Sequence, residues 1–263
     1  MNVQDVVDAL TLPGSDPDRT VDGLLTGDAG NEVTGIVVCY MPTLSVIDRA
    51  ADLGANLIVA HEGLFYAHRT EDEAVETDGP VRLEKKRRIE ARGMAIFRCH
   101  DYWHRVEPDG VTEGLVQALG WGPYVSKRLP EATIVRLPPT TLAEIAGTAK
   151  RLLGLASIRA MGDPSTACAK VGVLAGYRGG GRTAIPLFER ESLDLVLYGE
   201  GPEWETPEYV RDVLHAGGRK ALLVLGHGES EEPGMAALAR RLTDLFSGTP
   251  IYYVKEKPLF SAL

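Results

Sequence analysis

Short apolar, β-rich runs alternate with segments of helical periodicity along almost the whole chain, and no other feature narrows its fold so far. The run TGIVVCY (Thr34 to Tyr40) reads as a buried strand. Thr43 then caps a helix through Leu53, with Val46, Ile47, Ala50 and Leu53 at helical spacing. Asn56 to Ala60 is the next strand, Pro80 opens a helix closed by Gly93, and Met94 to Cys99 is a strand again. Val111 to Leu119 reads as a short helix. A second unit follows, with strands over Ala132 to Leu137, Ser157 to Ala160, Ala169 to Ala175 and Asp194 to Tyr198. Its helices are one capped by the Thr141/Glu144 box and one over Thr206 to Ala216. The chain closes with strand Ala221 to Leu225, helix Pro233 to Phe246 and strand Ile251 to Lys255.

Strands spaced by helices imply an α/β fold with mostly parallel sheets flanked by helices. The 263 residues suit one large domain or two lobes. The two-lobed reading puts residues 1–125 with 220–263 in one lobe, expected to carry the functional site, and residues 126–219 in the other. The acidic, poorly apolar stretch Thr70 to Gly79 reads as an exposed, mobile loop and a candidate lid.

A formal net charge of -9 argues against a nucleic-acid or anionic-membrane surface. Cys39, Cys99 and Cys168 are an odd, widely spaced set, the first two in apolar runs, which fits a reduced, cytoplasmic protein. The start MNVQDVVDAL lacks the basic and apolar regions of a signal peptide, and no run approaches the roughly 20 apolar residues of a membrane helix.

Chemistry concentrates where strands end. His61-Glu62 follows NLIVA, His100 and His104 follow MAIFRC, and His227…Glu231 follows ALLVLG; four of the six histidines lie in these three segments. In α/β sheets ligands bind beyond the carboxyl ends of the strands. Imidazoles and carboxylates meeting there suit one or two divalent metals. Each motif also has a plainer reading. Glu231 and Glu232 at a helix start complement its dipole, with Ser230 as cap and Pro233 in the first turn. His61-Glu62 could be a solvated strand end. His100 and His104, four apart, would share a helical face, and Asp101 could ligate or orient an imidazole. His68 reads as an exposed bystander, His215 as a helix-end residue, and GYRGGGR (Gly176 to Arg182) as a flexible connector.

Taken in order, VDGLLTGDAGNEVTGIVVCYMPTLSVIDRAADLGANLIVAHEGLFY, GMAIFRCHDYWHR, LPPTTLAEIAGTAKRLLGLASIRAMGD, VGVLAGYRGGG, DLVLYGE and GHGESEEPGMAALARRL resemble the Nif-three-like dinuclear metal-centre family, whose members are often labelled GTP cyclohydrolase type II homologues. The resemblance implies two facing lobes with two metals in the cleft, and a hexameric ring. The family's ligands are a His-His pair, an Asp and a His…Glu pair. His61, His227 and Glu231 match three of these, while Glu62 stands for the second His and His104 for the Asp. The exchange keeps three histidines and two carboxylates. It implies His61, His227 and Glu231 on one ion, with Glu62, His104 and a bridging Glu231 on the other, the ions being Zn, Fe, Mn or Co. His100 and Glu200 are candidates for proton transfer or ligand orientation. The family's His-His after Gly-Glu is replaced here by GPEWET, after Gly199-Glu200. The activity implied is metal-dependent hydrolysis of a nucleotide-like or small anionic substrate. The alternative is a non-enzymatic, metal-stabilised ring that binds protein partners or buffers metal.

Overall fold

The computed structural model describes residues 1–69 and 79–261, so most of the Thr70 to Gly79 loop lies outside the described residues. The chain divides into two compact units, one of Met1–Gly110 with Met235–Glu256, the other of Val111–Gly234 with Lys257–Leu263. Each is an α/β layer structure with its own sheet.

The first unit holds strands β1 (Gly23–Thr26), β2 (Ile36–Cys39), β3 (Leu57–Ala60), β4 (Ala95–Arg98) and β11 (Ile251–Tyr253), in sheet order β1-β4-β3-β2-β11. β4, β3, β2 and β11 are parallel, and β1 closes the edge antiparallel to β4. Every residue of β2, β3 and β4 is buried, as expected of parallel strands covered on both faces. On one face Val37, Cys39, Ile58, Ala60 and Ile96 pack against Val46, Ile47 and Ala50 of helix α2 (Leu44–Asp52) and Ile89 of α3 (Pro80–Ala91). Thr43 caps α2 through its side chain, accepting from the Val46 amide, as its place before the periodic run requires.

The second unit holds β5 (Val125–Arg128), β6 (Thr133–Arg136), β7 (Arg159–Met161), β8 (Lys170–Leu174), β9 (Leu195–Tyr198) and β10 (Ala221–Val224), ordered β5-β6-β8-β9-β10-β7. Here only β8-β9-β10 run parallel, and the three outer pairings are antiparallel, so this sheet is mixed rather than mostly parallel. α7 (Gly181–Arg190) and α8 (Thr206–His215) cover one face through Ala184, Leu187, Phe188 and Val210. The Thr141/Glu144 capping box forms as expected at the start of α6 (Leu142–Leu153).

Three local readings change. The first unit ends at Gly110 rather than at residue 125, and β10 pairs with β9, so residues 111–125 and 220–234 belong with the second unit rather than in the first lobe. The last helix, α9, spans His227–Leu245, so Pro233 lies inside it and Ser230 is a helical residue, not the cap. Gly181 to Arg190, within and beyond the expected connector, is helical. In the second unit Gly114 of α5 (Gly110–Ala118) lies so close to Gly234 of α9 that an added Cβ would sit 2.5 Å from its Cα. Glycine therefore sets that helix contact.

Lys85 of α3 is fully buried. Its ammonium donates to the Leu64 carbonyl at 2.6 Å and lies 5.0 Å from the centre of the Tyr66 ring, which ties down the chain just beyond His61. Burial pulls its pKa from 10.5 down to about 8. Between those values the unfolded chain holds the proton more tightly than the native one, so the Lys85 contribution to stability rises with pH across that window and is least favourable below it. Urea unfolding of the wild type and Lys85→Met from pH 7.5 to 10.5 should show the stability difference moving toward the wild type by up to about 3 kcal/mol. A difference independent of pH would contradict this.

Candidate metal centre

In the first unit the site starts from the register of two adjacent parallel strands. β3 and β4 pair with Ala60 beside Arg98. The chain leaving β3 at once presents His61, and the chain leaving β4 reaches His100 two residues on, so the two side chains emerge from neighbouring strand ends. Their rings stack with centroids 4.4 Å apart. From His100 the chain enters a single helical turn, α4 (Asp101–Arg105), which brings His104 round to the same side, 4.9 Å from His100 and 5.1 Å from His61. One donor nitrogen from each of these three histidines lies within 4.8 Å of the others. His61 is buried and the other two are half-buried.

Carboxylates fix how these rings are used. His100 Nδ1 is 3.0 Å from Asp101 Oδ1. Burial lowers the His100 pKa to about 4, against the pull of Asp101, so the ring is neutral at neutral pH. The hydrogen bond from His100 holds the Asp101 carboxyl well below the usual carboxylate range. A neutral imidazole facing an ionised acid carries its proton on Nδ1, leaving the lone pair on Nε2. His104 Nδ1 lies 3.2 Å from both oxygens of Asp109, which assigns the same tautomer. Metal-ligating histidines commonly give their second N–H to a carboxylate in this way.

A residue far away in sequence organises the turn. Asp22, just before β1, accepts from the backbone amides of His100 (2.7 Å), Asp101 (2.9 Å) and Tyr102 (2.6 Å). It acts as the cap that α4 lacks in its own sequence, since His100 at the cap position makes no side-chain capping bond. Burial raises the Asp22 pKa, and the three amides oppose that rise.

Arg98, almost fully buried, holds the segment after β3. Its guanidinium donates to the His61 carbonyl (3.2 Å), the His68 carbonyl (2.5 Å) and Glu62 Oε2 (2.9 Å). The carboxylate expected as a ligand at Glu62 is therefore also an ion-pair partner of a buried cation. His68 is exposed, as the sequence suggests, yet its ring meets that of His100 at 4.9 Å, and Glu62, His68 and His100 form a second group of donors within 4.8 Å of one another. Cys99, between Arg98 and His100, is buried, and burial pushes its thiol pKa well above the usual value.

The second unit assembles its donors at the same kind of edge. β8, β9 and β10 end level, with Leu174 beside Tyr198 and Tyr198 beside Val224. Beyond them come Gly176, Gly199-Glu200 and Gly226-His227. His227 Nδ1 is 3.0 Å from Glu200 Oε2, and His227 Nε2 is 3.3 Å from Glu231 Oε2 one helical turn on. A neutral imidazole has one N–H and can satisfy only one of two flanking carboxylates. A proton on Nε2, a proton on Glu231 or a cation held by both would each join Nε2 to Glu231, so this arrangement could hold a divalent metal. Ser230 Oγ donates to the His227 carbonyl (2.7 Å) and accepts from the Gly176 amide (2.8 Å), locking the first turn of α9 to the end of β8.

Gly176 has φ +68°, and a Cβ there would sit 2.0 Å from Glu231 Oε1. Gly176→Ala should lose about 1–2 kcal/mol from the backbone alone. It should also displace Glu231, which metal titration would register as weaker uptake; unchanged stability and uptake would refute this close packing. Asp22→Ala strips an acceptor from three part-buried amides and should destabilise by about 2 kcal/mol, whereas Asp22→Asn, which keeps an oxygen, should retain most of the stability. Equal losses from both in urea unfolding would mean that capping is not the role of Asp22.

Two α/β units, each gathering histidines and carboxylates beyond its strand ends, define a candidate metal-binding protein. The profile of the Duf34/NIF3 (NGG1p interacting factor 3) family matches residues 1–257, and the chain belongs to that family. A Clostridium perfringens protein named GTP cyclohydrolase 1 type 2 homolog is 25% identical over 84% of this chain and 82% of its own length. In fold, a Staphylococcus aureus hypothetical protein superimposes with a TM-score of 0.78 at 17% identity, covering 100% of this chain and 99% of that one. A Bacillus cereus protein related to NIF3 gives 0.77 at 15% identity, with 100% and 99% covered. Among the described residues no helix is long and apolar enough to cross a membrane.

Proposed function

We propose that the protein is a metal-dependent hydrolase acting on a nucleotide-like or other small anionic substrate. The observation that carries this reading is the group of His61, His100 and His104, whose donor atoms lie within 4.8 Å of one another and two of whose rings hold their Nδ1 protons against carboxylates. Tetrahedral coordination at about 2.1 Å per bond spaces donors about 3.4 Å apart, so a modest closing of these side chains would suit Zn, Fe, Mn or Co. His100, expected from sequence to serve in proton transfer or ligand orientation, acts in this reading as a nitrogen donor. The resemblance adds Glu62, His227 and Glu231 and makes the centre dinuclear within a ring of six chains. The name of the clostridial relative points in the direction of a nucleotide substrate.

Divalent ions held there would supply Lewis-acid polarisation and lower the pKa of water toward neutrality. The chain's own contribution is to orient. Asp101 and Asp109 fix the tautomers of His100 and His104, and Glu200 fixes that of His227. Asp22 holds the turn that carries the first two. His100 and Glu200, expected as groups for proton transfer or ligand orientation, make contacts that support the orienting role in this reading.

Protein purified without added metal should carry up to two divalent ions per chain by elemental analysis. His104→Ala and Glu231→Gln should each lower that content. A screen of phosphoesters and nucleotides should give turnover that a chelator abolishes. Failure to retain any divalent ion when offered in excess would overturn the reading, and metal retention with no turnover across the screen would favour the non-enzymatic, metal-stabilised ring.

A further inference from the structure

The first unit contains a cavity of about 940 Å³ whose wall reaches the histidine cluster through His68, Arg98 and Asp101. It is lined by five arginines, Arg19, Arg69, Arg82, Arg98 and Arg105, in a chain whose net charge is -9. They come from five separate places: a 3-10 turn (Pro17–Arg19), the segment after His68, the first turn of α3, the end of β4 and the end of α4. Three carboxylates share the wall, Asp18, Asp22 and Asp101. Two of these have fixed partners. Asp22 accepts three backbone amides, and Asp101 accepts from His100 and from Arg105. Arg98 is balanced by Glu62. The Arg82 guanidinium carbon lies over the Phe65 ring, 4.0 Å from its centre, which gives the side chain an apolar support.

We infer that this cavity binds a phosphate-bearing small molecule, gripped by Arg19, Arg82 and their neighbours, with its phosphates beside the histidine cluster. A single carboxylate is satisfied by one guanidinium fork. Several arginines from different elements in the wall of one cavity match a group with more than one charge and several oxygens, as a phosphate or diphosphate has. The volume falls within the range of small-molecule sites. Binding stands on the arginines alone; that the bound molecule is the substrate rests on the hydrolase reading above.

The test is calorimetric titration of the full chain with inorganic pyrophosphate. Saturable binding is expected, weakening as salt rises from 0.05 to 0.3 M. Arg19→Gln and Arg82→Gln should each weaken it at least about tenfold, as loss of a charge-assisted contact does. Arg19 sits on an exposed turn, so its variant should keep the wild-type circular dichroism and melting temperature. In chelator-treated protein, where no bound ion can contribute to the affinity, His104→Ala, outside the cavity wall, should leave pyrophosphate affinity within twofold, while its metal uptake, measured separately, falls. Metal loss without anion loss, or the reverse, therefore separates failure of the metal reading from failure of this one. No pyrophosphate binding, binding untouched by both arginine changes, or loss in His104→Ala alone would each overturn the inference. Equal affinity for citrate would overturn the assignment to phosphate.

Discussion

The in-register pairing of β3 with β4 is the interaction on which the candidate site of the first unit depends. Parallel neighbours end at the same sheet edge, so whatever follows them in sequence is brought side by side without any long-range recognition. His61 follows Ala60 directly and His100 follows Arg98 by two residues, and their stacked rings result from that coincidence of strand ends. Slipping one strand by a single residue would exchange the faces of the whole strand and carry Arg98 away from the His61 and His68 carbonyls and Glu62. With every residue of both strands buried, such a slip would have to repack both layers of the core, so packing sets the chemistry at the sheet edge.

The same device recurs in the second unit at β8, β9 and β10, with glycines where the strands end. Gly199 and Gly176 leave room for Ser230 and Glu231, because side chains there would overlap their oxygens. In both units the imidazoles are set by carboxylates on Nδ1, supplied by Asp101, Asp109 and Glu200. These acids do more to define the rings than the histidines' own rotamers could. A neutral imidazole has two tautomers, and only a fixed partner selects one of them.

Much of this was legible in the sequence and some was not, for physical reasons. Strands β2, β3, β4, β9 and β10 are continuous apolar runs, and buried parallel strands write themselves that way. The capping residues Thr43 and Thr141 act locally, within three residues, and were readable. Asp22 was not, because it caps a helix about 80 positions away and nothing near it signals the partner. Nor was Asp109, whose link to His104 follows the bend after α4 rather than any helical spacing. His68 looked like a bystander because its exposure is real, and only the turn held by Arg98 brings it to His100. The start of α9 was misplaced by Pro233, which usually opens helices. Here the helix begins six residues earlier, and the glycines and acids before Pro233, which resemble a loop, form its first turns. Exposed edge strands such as β5 carry no apolar signature and left no trace in the pattern.

One consequence follows from Cys99. Cys99 stands in sequence between Arg98 and His100, and burial keeps the proton on its sulfur. Cys39, at the end of β2, is held protonated in the same way, its pKa raised by burial. Thiolates are what soft ions such as cuprous copper seek and what peroxides attack first. The candidate donors of the histidine cluster are nitrogen and oxygen alone, a set that suits borderline and hard ions better than soft ones. The Cys99 and Cys39 thiols, buried and protonated, are in the form least open to oxidation.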